Sequence, residues 1–293
     1  MRGVNVGLDE FRSQMLIDTK PKTFAGLVKI SGLSHGTDVW LKNAQSLVQG
    51  TTEYGKITFE EIIACRDDIM VQLSERGLQP LKAFEIMEFV RKGKPSKDKA
   101  TWLDYEQEMR KNNVPEWYIW SASQIKYMFP KAHATAYVIM AMRIAWFKVY
   151  HPLAYYVSYF TLRCNAYDID VMRKGSQAIM NRLTDIDKRL RDSSTKFQVT
   201  NKEKELYNTL EVALEMTLRG YRFHNIDLKL SQADEFLIHP NDSRILIPPF
   251  KVLDGLGENA ARSIVEAREK CFFLSKEDLQ SRTQINGTQI RKM

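Results

Sequence analysis

Lys126-Tyr-Met-Phe-Pro-Lys-Ala-His-Ala-Thr-Ala-Tyr-Val-Ile-Met-Ala-Met-Arg-Ile-Ala-Trp-Phe-Lys-Val-Tyr-His-Pro152 is the stretch that decides the fold. Pro130 suits the first position of a helix, where its missing N–H is not needed and its φ is already helical, and Pro152 marks where that helix stops. Nothing between them breaks a helix. At about 100° per residue, His133, Tyr137, Met140, Ile144, Phe147 and Lys148 share one face, while Val138, Met142, Ala145 and Val149 share the opposite one. Both faces are largely apolar, so the expectation is a buried central helix with polar groups at its entrance. Arg143 interrupts the apolar run, which is shorter than the ~20 residues a membrane span needs.

The chain around this helix has 293 residues, enough for one large domain or two ordinary ones. With 44% hydrophobic and 27% charged residues it has the make-up of a folded soluble protein rather than a disordered one. Forty-three Lys and Arg against 36 Asp and Glu give a net charge of +7 and a pI near 9.1, which permits a polyanionic partner such as nucleic acid without requiring one. Cys65, Cys164 and Cys271 are isolated, with no Cys-x-x-Cys and no histidine at ligand spacing. That pattern points to a reducing compartment and no zinc site. The N-terminal stretch carries no apolar signal core, so a cytoplasmic protein with no membrane association is expected.

N-terminal to the deciding stretch, the pattern predicts short amphipathic helices over 8–20 and over Phe24 to Ser31, the second ended by Gly32. Ser31-Gly-Leu-Ser-His-Gly-Thr-Asp-Val-Trp-Leu then reads as a loop entering a helix near Val39. Its hydroxyls and N–H groups could receive an anion, or it could be a plain turn capped by Thr37 or Asp38. Ser34, His35 and Asp38 are too close in one loop to form a catalytic triad. Thr58 and Glu61 have capping-box spacing, which predicts a helix from Thr58 onward. Asp67 and Asp68 point about 100° apart on a helix and read as a salt-bridged or solvated patch with Arg66. Further helices are expected over Leu81 to Arg91, Trp102 to Lys111 and Pro115 to Ile125. The basic run Arg91-Lys-Gly-Lys-Pro-Ser-Lys-Asp-Lys between the first two is a solvated loop or a phosphate contact.

After Pro152 the helical pattern continues to Arg163. Asp168 and Asp170 have the spacing of a strand-borne metal pair, yet they precede a helical pattern and read as its acidic start. Helices over Ile179 to Arg191 and Lys202 to Arg219 follow. After Gly220 the texture changes to short strands at Tyr221 to Leu228, Glu235 to His239 and Arg244 to Ile247, separated by turns. Phe250-Lys-Val-Leu-Asp-Gly-Leu-Gly then feeds a second amphipathic helix. Gly255 and Gly257 would let backbone N–H groups approach a phosphate, as in the helix-hairpin-helix element used for sequence-independent DNA contact. The same string also suits a plain glycine turn before a helix. A weaker second copy surrounds Ile285-Asn-Gly-Thr-Gln-Ile-Arg.

Four segments together, Phe129-Pro-Lys-Ala-His-Ala-Thr-Ala-Tyr, Ser31 to Leu41, Cys65-Arg-Asp-Asp-Ile-Met and Val114-Pro-Glu-Trp-Tyr-Ile, closely resemble the PolC-type replicative DNA polymerase III alpha subunits of low-GC Gram-positive bacteria. The resemblance runs from about Phe11 to about Gln289. It implies a mainly α fold: a helical fingers domain over 1–192, then a small α+β duplex-binding region over 193–293 with its helix-hairpin-helix at about 248–293. It implies a DNA-directed DNA polymerase, a nucleotidyltransferase whose fingers bind the incoming dNTP. By motif, Phe129, Lys131, His133 and Tyr137 would form the nucleotide-facing entrance of the central helix, Ser34 and His35 the facing loop, and Arg66 a further triphosphate contact. Periodicity alone makes His133 a core histidine; the resemblance makes it a nucleotide contact. Lys251, Gly255, Gly257 and Arg262 would hold the primer-template backbone.

The family's catalytic aspartates and its Mg2+ ligands lie on a palm domain N-terminal to the fingers, and Asp168 and Asp170 do not align with them. The chain has no catalytic or metal-binding residue under this reading, and it is expected to be a C-terminal fragment that is inert alone. Its partners would be primer-template DNA, dNTP and the remainder of the polymerase. The sliding clamp would bind the complete protein, since the peptide Gln-Leu-Ser-Leu-Phe is not found here. The rival from another class is a free-standing, non-enzymatic helix-hairpin-helix DNA-binding protein.

Overall fold

The computed structural model describes residues 10–291. Leu8 and Asp9, where the sequence starts the first helix, and most of the stretch read for a signal core lie outside the described residues. Packing divides the chain into two units, one ending at Arg143 and the other starting at Ile144. The boundary at 192/193 is the one the family resemblance implies, and the change in texture comes after Gly220; packing groups the helices after 144 with the strands, because Tyr156, Phe160, Ile179 and Leu210 share one core with Phe223 and Phe236.

The first unit contains α1 (Glu10–Thr19), α2 (Phe24–His35), an irregular turn at Trp40–Ala44, α3 (Gln45–Gln49), α4 (Arg66–Glu75), α5 (Pro80–Arg91), α6 (Lys99–Lys111), α7 (Glu116–Gln124) and the start of α8 (Lys131–Tyr150). Local chemistry sets most of these ends. Pro80 occupies the first turn of α5, and the Asp98 carboxylate accepts from the Thr101 N–H to cap α6. Ile69 and Leu73 of α4 and Ile86 and Val90 of α5 join Trp40 and Tyr118 in the core. The irregular turn buries Trp40, Asn43 and Ala44, and the Asn43 amide is satisfied there. Ser121 Oγ donates to Asn43 Oδ1 at 2.6 Å, and Asn43 Nδ2 donates to the Asp38 and Ser121 carbonyls.

Three local expectations change. Gly32 does not end α2, which runs on to His35, so Ser34 and His35 occupy a helical last turn rather than a loop. Glycine is needed at 32 for packing: a Cβ there would lie 2.4 Å from Cys65 Sγ and 2.8 Å from the Ala64 carbonyl oxygen. Thr58 and Glu61 are joined, with Thr58 Oγ1 donating to Glu61 Oε2 at 2.5 Å, but they close a turn. The following helix starts at Arg66, where Cys65 and Asp68 form the capping box.

The central helix also departs from its reading. Its ends fall where Pro130 and Pro152 place them, yet among its residues only Ala134 and Val138 are buried, packed with Val28 and Cys65. Tyr137, Met140, Met142, Trp146, Phe147 and Tyr150 are exposed. An all-round apolar surface predicts burial only when another element covers it.

The second unit continues with α9 (Pro152–Leu162), α10 (Ile169–Arg173), α11 (Ser176–Arg191), α12 (Asn201–Leu218), β1 (Arg222–Phe223), β2 (Leu237–His239), β3 (Asp242–Ile247), α13 (Glu258–Lys270), α14 (Lys276–Arg282) and α15 (Gly287–Ile290). The sheet order is β1-β3-β2. Phe223 pairs in parallel with Leu246, and Leu237 pairs antiparallel with Ile247. A Thr200–Glu203 capping box starts α12, and Arg189 and Arg182 tie Glu203 to α11. The architecture is mainly α, with this one small sheet among the described residues.

Candidate functional site

In the first unit, α2 ends where α8 begins, and the rings of the two elements meet. His35 stacks on Phe129 with centroids 4.9 Å apart and planes at 25°. Phe129 meets His133 edge-on at 4.9 Å, and His133 meets Tyr137 at 4.6 Å. The four rings form one ladder along the entrance of α8, because residues 129, 133 and 137 recur at the helical spacing of four. Phe129 is half-buried, while His133 and Tyr137 face solvent.

Two backbone links hold the entrance. The Thr37 N–H donates to the Tyr127 carbonyl at 2.9 Å, and the Arg66 N–H donates to the Phe129 carbonyl at 3.2 Å. The first brings the residues after His35 beside the approach to α8, and the second brings the start of α4 beside Phe129. The Arg66 guanidinium lies 3.9 Å from Asp67 and remains half-exposed. Ser34 lies in the same helical turn as His35, with its hydroxyl donating to the Ser31 carbonyl at 3.0 Å.

Lys131 is the cation of the cluster. Its Nζ donates to Asp68 Oδ1 at 2.8 Å, and its backbone N–H donates to Asp67 Oδ2 at 2.7 Å. Asp68 is only 5% exposed, and its second oxygen accepts from the Ala64 and Cys65 N–H groups at 3.2 and 2.9 Å. The hydrogen bond to Asp68 raises the Lys131 pKa above its ordinary value. Behind them, Lys29 Nζ donates to the Phe59, Glu60 and Ile62 carbonyls, and burial lowers its pKa. Burial also pushes the Cys65 thiol up to about 12, which makes it a packing residue. The solvated patch expected at Asp67 and Asp68 is therefore divided. Asp67 stays half-exposed beside Arg66, whereas Asp68 is buried and paired with Lys131. The Cys65-x-x-Asp68 capping spacing was the signal that could have separated the two.

In the second unit, Leu253-Asp-Gly-Leu-Gly makes a tight hairpin. Leu253 and Leu256 are buried and the Leu256 N–H donates to the Leu253 carbonyl at 3.1 Å, so the two apolar residues anchor the turn. Gly255 has φ +85°, a conformation that favours glycine. Gly257 has φ −74° and nothing within 4 Å of where a Cβ would stand, so neither backbone nor packing within the chain requires glycine there. Arg262 is exposed on α13, 3.8 Å from Glu258 and 4.0 Å from Asp234. Lys251 is turned inward, its Nζ donating to the Thr161 carbonyl at 3.2 Å. Sequence reasoning missed Gln289, whose side chain donates to the Gly255 carbonyl at 2.6 Å and ties the weak second copy to the first hairpin. It also missed Lys202, paired with Asp254 at 2.5 Å.

Asp168 caps α10 by accepting from the Val171 N–H and lies 3.7 Å from Arg182, while Asp170 pairs with Arg173. Among the described residues no three His, Cys, Asp or Glu side chains group so as to hold a metal ion, so the residues present do not fit a two-metal centre. No helix among them is long and apolar enough to cross a membrane.

One unit thus carries an aromatic and cationic helix entrance, and the other a glycine hairpin before a helix. The family model for the bacterial DNA polymerase III alpha subunit finger domain matches residues 9–113, and that for the helix-hairpin-helix motif matches residues 220–293. The chain is 54% identical over 287 residues to the PolC-type DNA polymerase III of Bacillus subtilis, covering 97% of the chain and 19% of that protein. It is 54% identical over 279 residues to the same protein of Oceanobacillus iheyensis, covering 95% and 18%, and 48% identical over 300 residues to that of Streptococcus sanguinis, covering 98% and 19%. The chain is thus similar, over nearly its whole length, to one segment of PolC-type DNA polymerase III proteins. It spans about a fifth of the length of the curated relatives it matches.

Proposed function

We propose that the chain serves a replicative DNA-directed DNA polymerase as its nucleotide-binding fingers and duplex-binding segment. The observation that carries this reading is the cluster at the entrance of α8: the ring ladder His35, Phe129, His133 and Tyr137 stands beside Lys131 and Arg66. A triphosphate needs cations for its charge, and a base or sugar needs a flat surface to lie against. The entrance supplies both within two helical turns, and Ser34 adds a hydroxyl in the turn that carries His35. The hairpin at Gly255 and Gly257 and the α13 cation Arg262 would take the primer-template backbone, with affinity falling as salt rises. Lys251 would reach a phosphate only by leaving the Thr161 carbonyl.

Nucleotidyl transfer in this class relies on divalent metal such as Mg2+, and we assign its ligands to the remainder of the polymerase. The sliding clamp would be met there too, in the cytoplasm. The chain's own residues bind and orient the nucleotide and the duplex. In the complete polymerase, Lys131→Ala or His133→Ala should raise KM for dNTP roughly tenfold or more while leaving primer-template affinity within a factor of about two. Equal losses in both would remove the entrance from the nucleotide site. Primer extension by the chain alone should give no incorporation; robust incorporation would contradict the assignment of catalysis to other parts, and duplex binding unaccompanied by any role in a polymerase would favour the binding-protein reading.

A further inference from the structure

Lys131 is held at two points by adjacent acids, one on its backbone and one on its side chain. The geometry points to Asp68 as a positioning residue for nucleotide binding, one that acts through Lys131 and does not itself touch the nucleotide. This rests on the reading of the α8 entrance as the nucleotide site.

Asp68 is buried and immobile: its Oδ2 is fixed by the Ala64 and Cys65 N–H groups, which leaves Oδ1 aimed at Lys131 Nζ. A lysine side chain has four rotatable carbons and an ammonium with three donors. One donor is spent on Asp68, and with the side chain 49% exposed the others remain available to an incoming anion. Asp67 completes the arrangement by accepting from the Lys131 N–H, so the first turn of α8 and the head of its lysine are both referred to the start of α4. The ammonium is thereby ordered before a phosphate arrives, and the ordering cost is met in folding rather than in binding. Asp68 does not leave the cluster neutral, because Lys29 lies close enough to feel the Asp68 charge and is itself anchored on three carbonyls. With Arg66 beside Asp67, three cations, Lys131, Lys29 and Arg66, stand around the two carboxylates Asp67 and Asp68.

The test is a double-mutant cycle in the complete polymerase. Asp68→Asn should raise KM for dNTP roughly tenfold with kcat and primer-template affinity little changed, and in a Lys131→Ala background it should add almost nothing. Asp68→Asn keeps an amide oxygen for the Ala64 and Cys65 N–H groups and so controls for the helix cap, with a melting temperature near that of the parent; Asp68→Ala, which loses cap and anchor together, should show the same KM rise with a lower melting temperature. If Lys131→Ala raises KM but the two Asp68 variants leave it unchanged, lower it, or multiply with Lys131→Ala, Asp68 is not a positioning residue and the nucleotide site stands. If Lys131→Ala itself has no effect on KM, the nucleotide reading fails and the role of Asp68 falls with it.

Discussion

Lys131 gains a buried carboxylate on folding, and this fixes the sign of a pH dependence. Its folded-state pKa lies above the ordinary 10.5, so the pair contributes stability that is fully present below that pH and is lost as pH rises through the folded value. Lys131→Met leaves Asp68 buried with only two backbone N–H partners. It should cost about 1–2 kcal/mol near neutral pH, discounted for a lysine half in solvent. The difference from the parent, measured by urea unfolding at several pH values, should stay level up to about pH 10 and shrink above it. Thiols give a second residue-scale check. Cys65 and Cys164 are buried, burial raises both pKa values, and Cys271 is exposed. A thiol reagent at neutral pH should modify Cys271 alone in the folded chain and all three after unfolding, as read by mass spectrometry. The family resemblance, and not periodicity, singled out the lysine and the rings at 129, 133 and 137 in the sequence. It could not show that Asp68 is buried, since adjacent aspartates look alike until the helix start between Cys65 and Arg66 sets which one points inward.

At the scale of elements, the hairpin separates the demands of the fold from the demands of a ligand. Gly255→Val forces a β-branched residue to φ +85° and should cost about 1–3 kcal/mol of local strain as well as duplex affinity. Gly257→Ala meets no such penalty, so it should leave the melting temperature unchanged while weakening duplex binding irrespective of sequence, in a salt-titrated binding assay. Unchanged affinity would take the hairpin out of the DNA interface. Pro130 and Pro152 made the ends of α8 readable, because such signals act within one turn, whereas the sequence pattern passes over the Asp98 cap and starts α6 at Trp102 instead of Lys99. Gly32 and Thr58 misled for a related reason. A glycine can stop a helix or let another segment approach it, and only the neighbouring Ala64 and Cys65 decide which. A reciprocal Thr and Glu pair can close a turn as well as start a helix.

At the scale of the whole chain, the mainly α character and the late sheet followed from periodicity, whereas the division at 143/144 did not. The texture changes after Gly220, but α9, α11 and α12 share their apolar faces with β1 and β3, and such sharing is a long-range property that no local pattern reports. The exposure of α8 was unreadable for the same reason: the sequence shows which residues are apolar, and not which of them another element covers.

The exposed side chains of α8 have a colloidal consequence. Met140, Met142, Trp146, Phe147, Val149 and Tyr150 leave apolar area in contact with water on a molecule whose net charge of +7 otherwise keeps its copies apart. Added salt shortens the reach of that repulsion to about 3 Å at 1 M, and it leaves the apolar attraction in place. The isolated chain should therefore be monodisperse at low ionic strength and associate as ammonium sulfate or sodium chloride is raised, in light scattering across a salt series. Replacing Trp146 and Tyr150 by glutamine should move the onset to higher salt, and purification of this chain by hydrophobic adsorption should follow the same two residues.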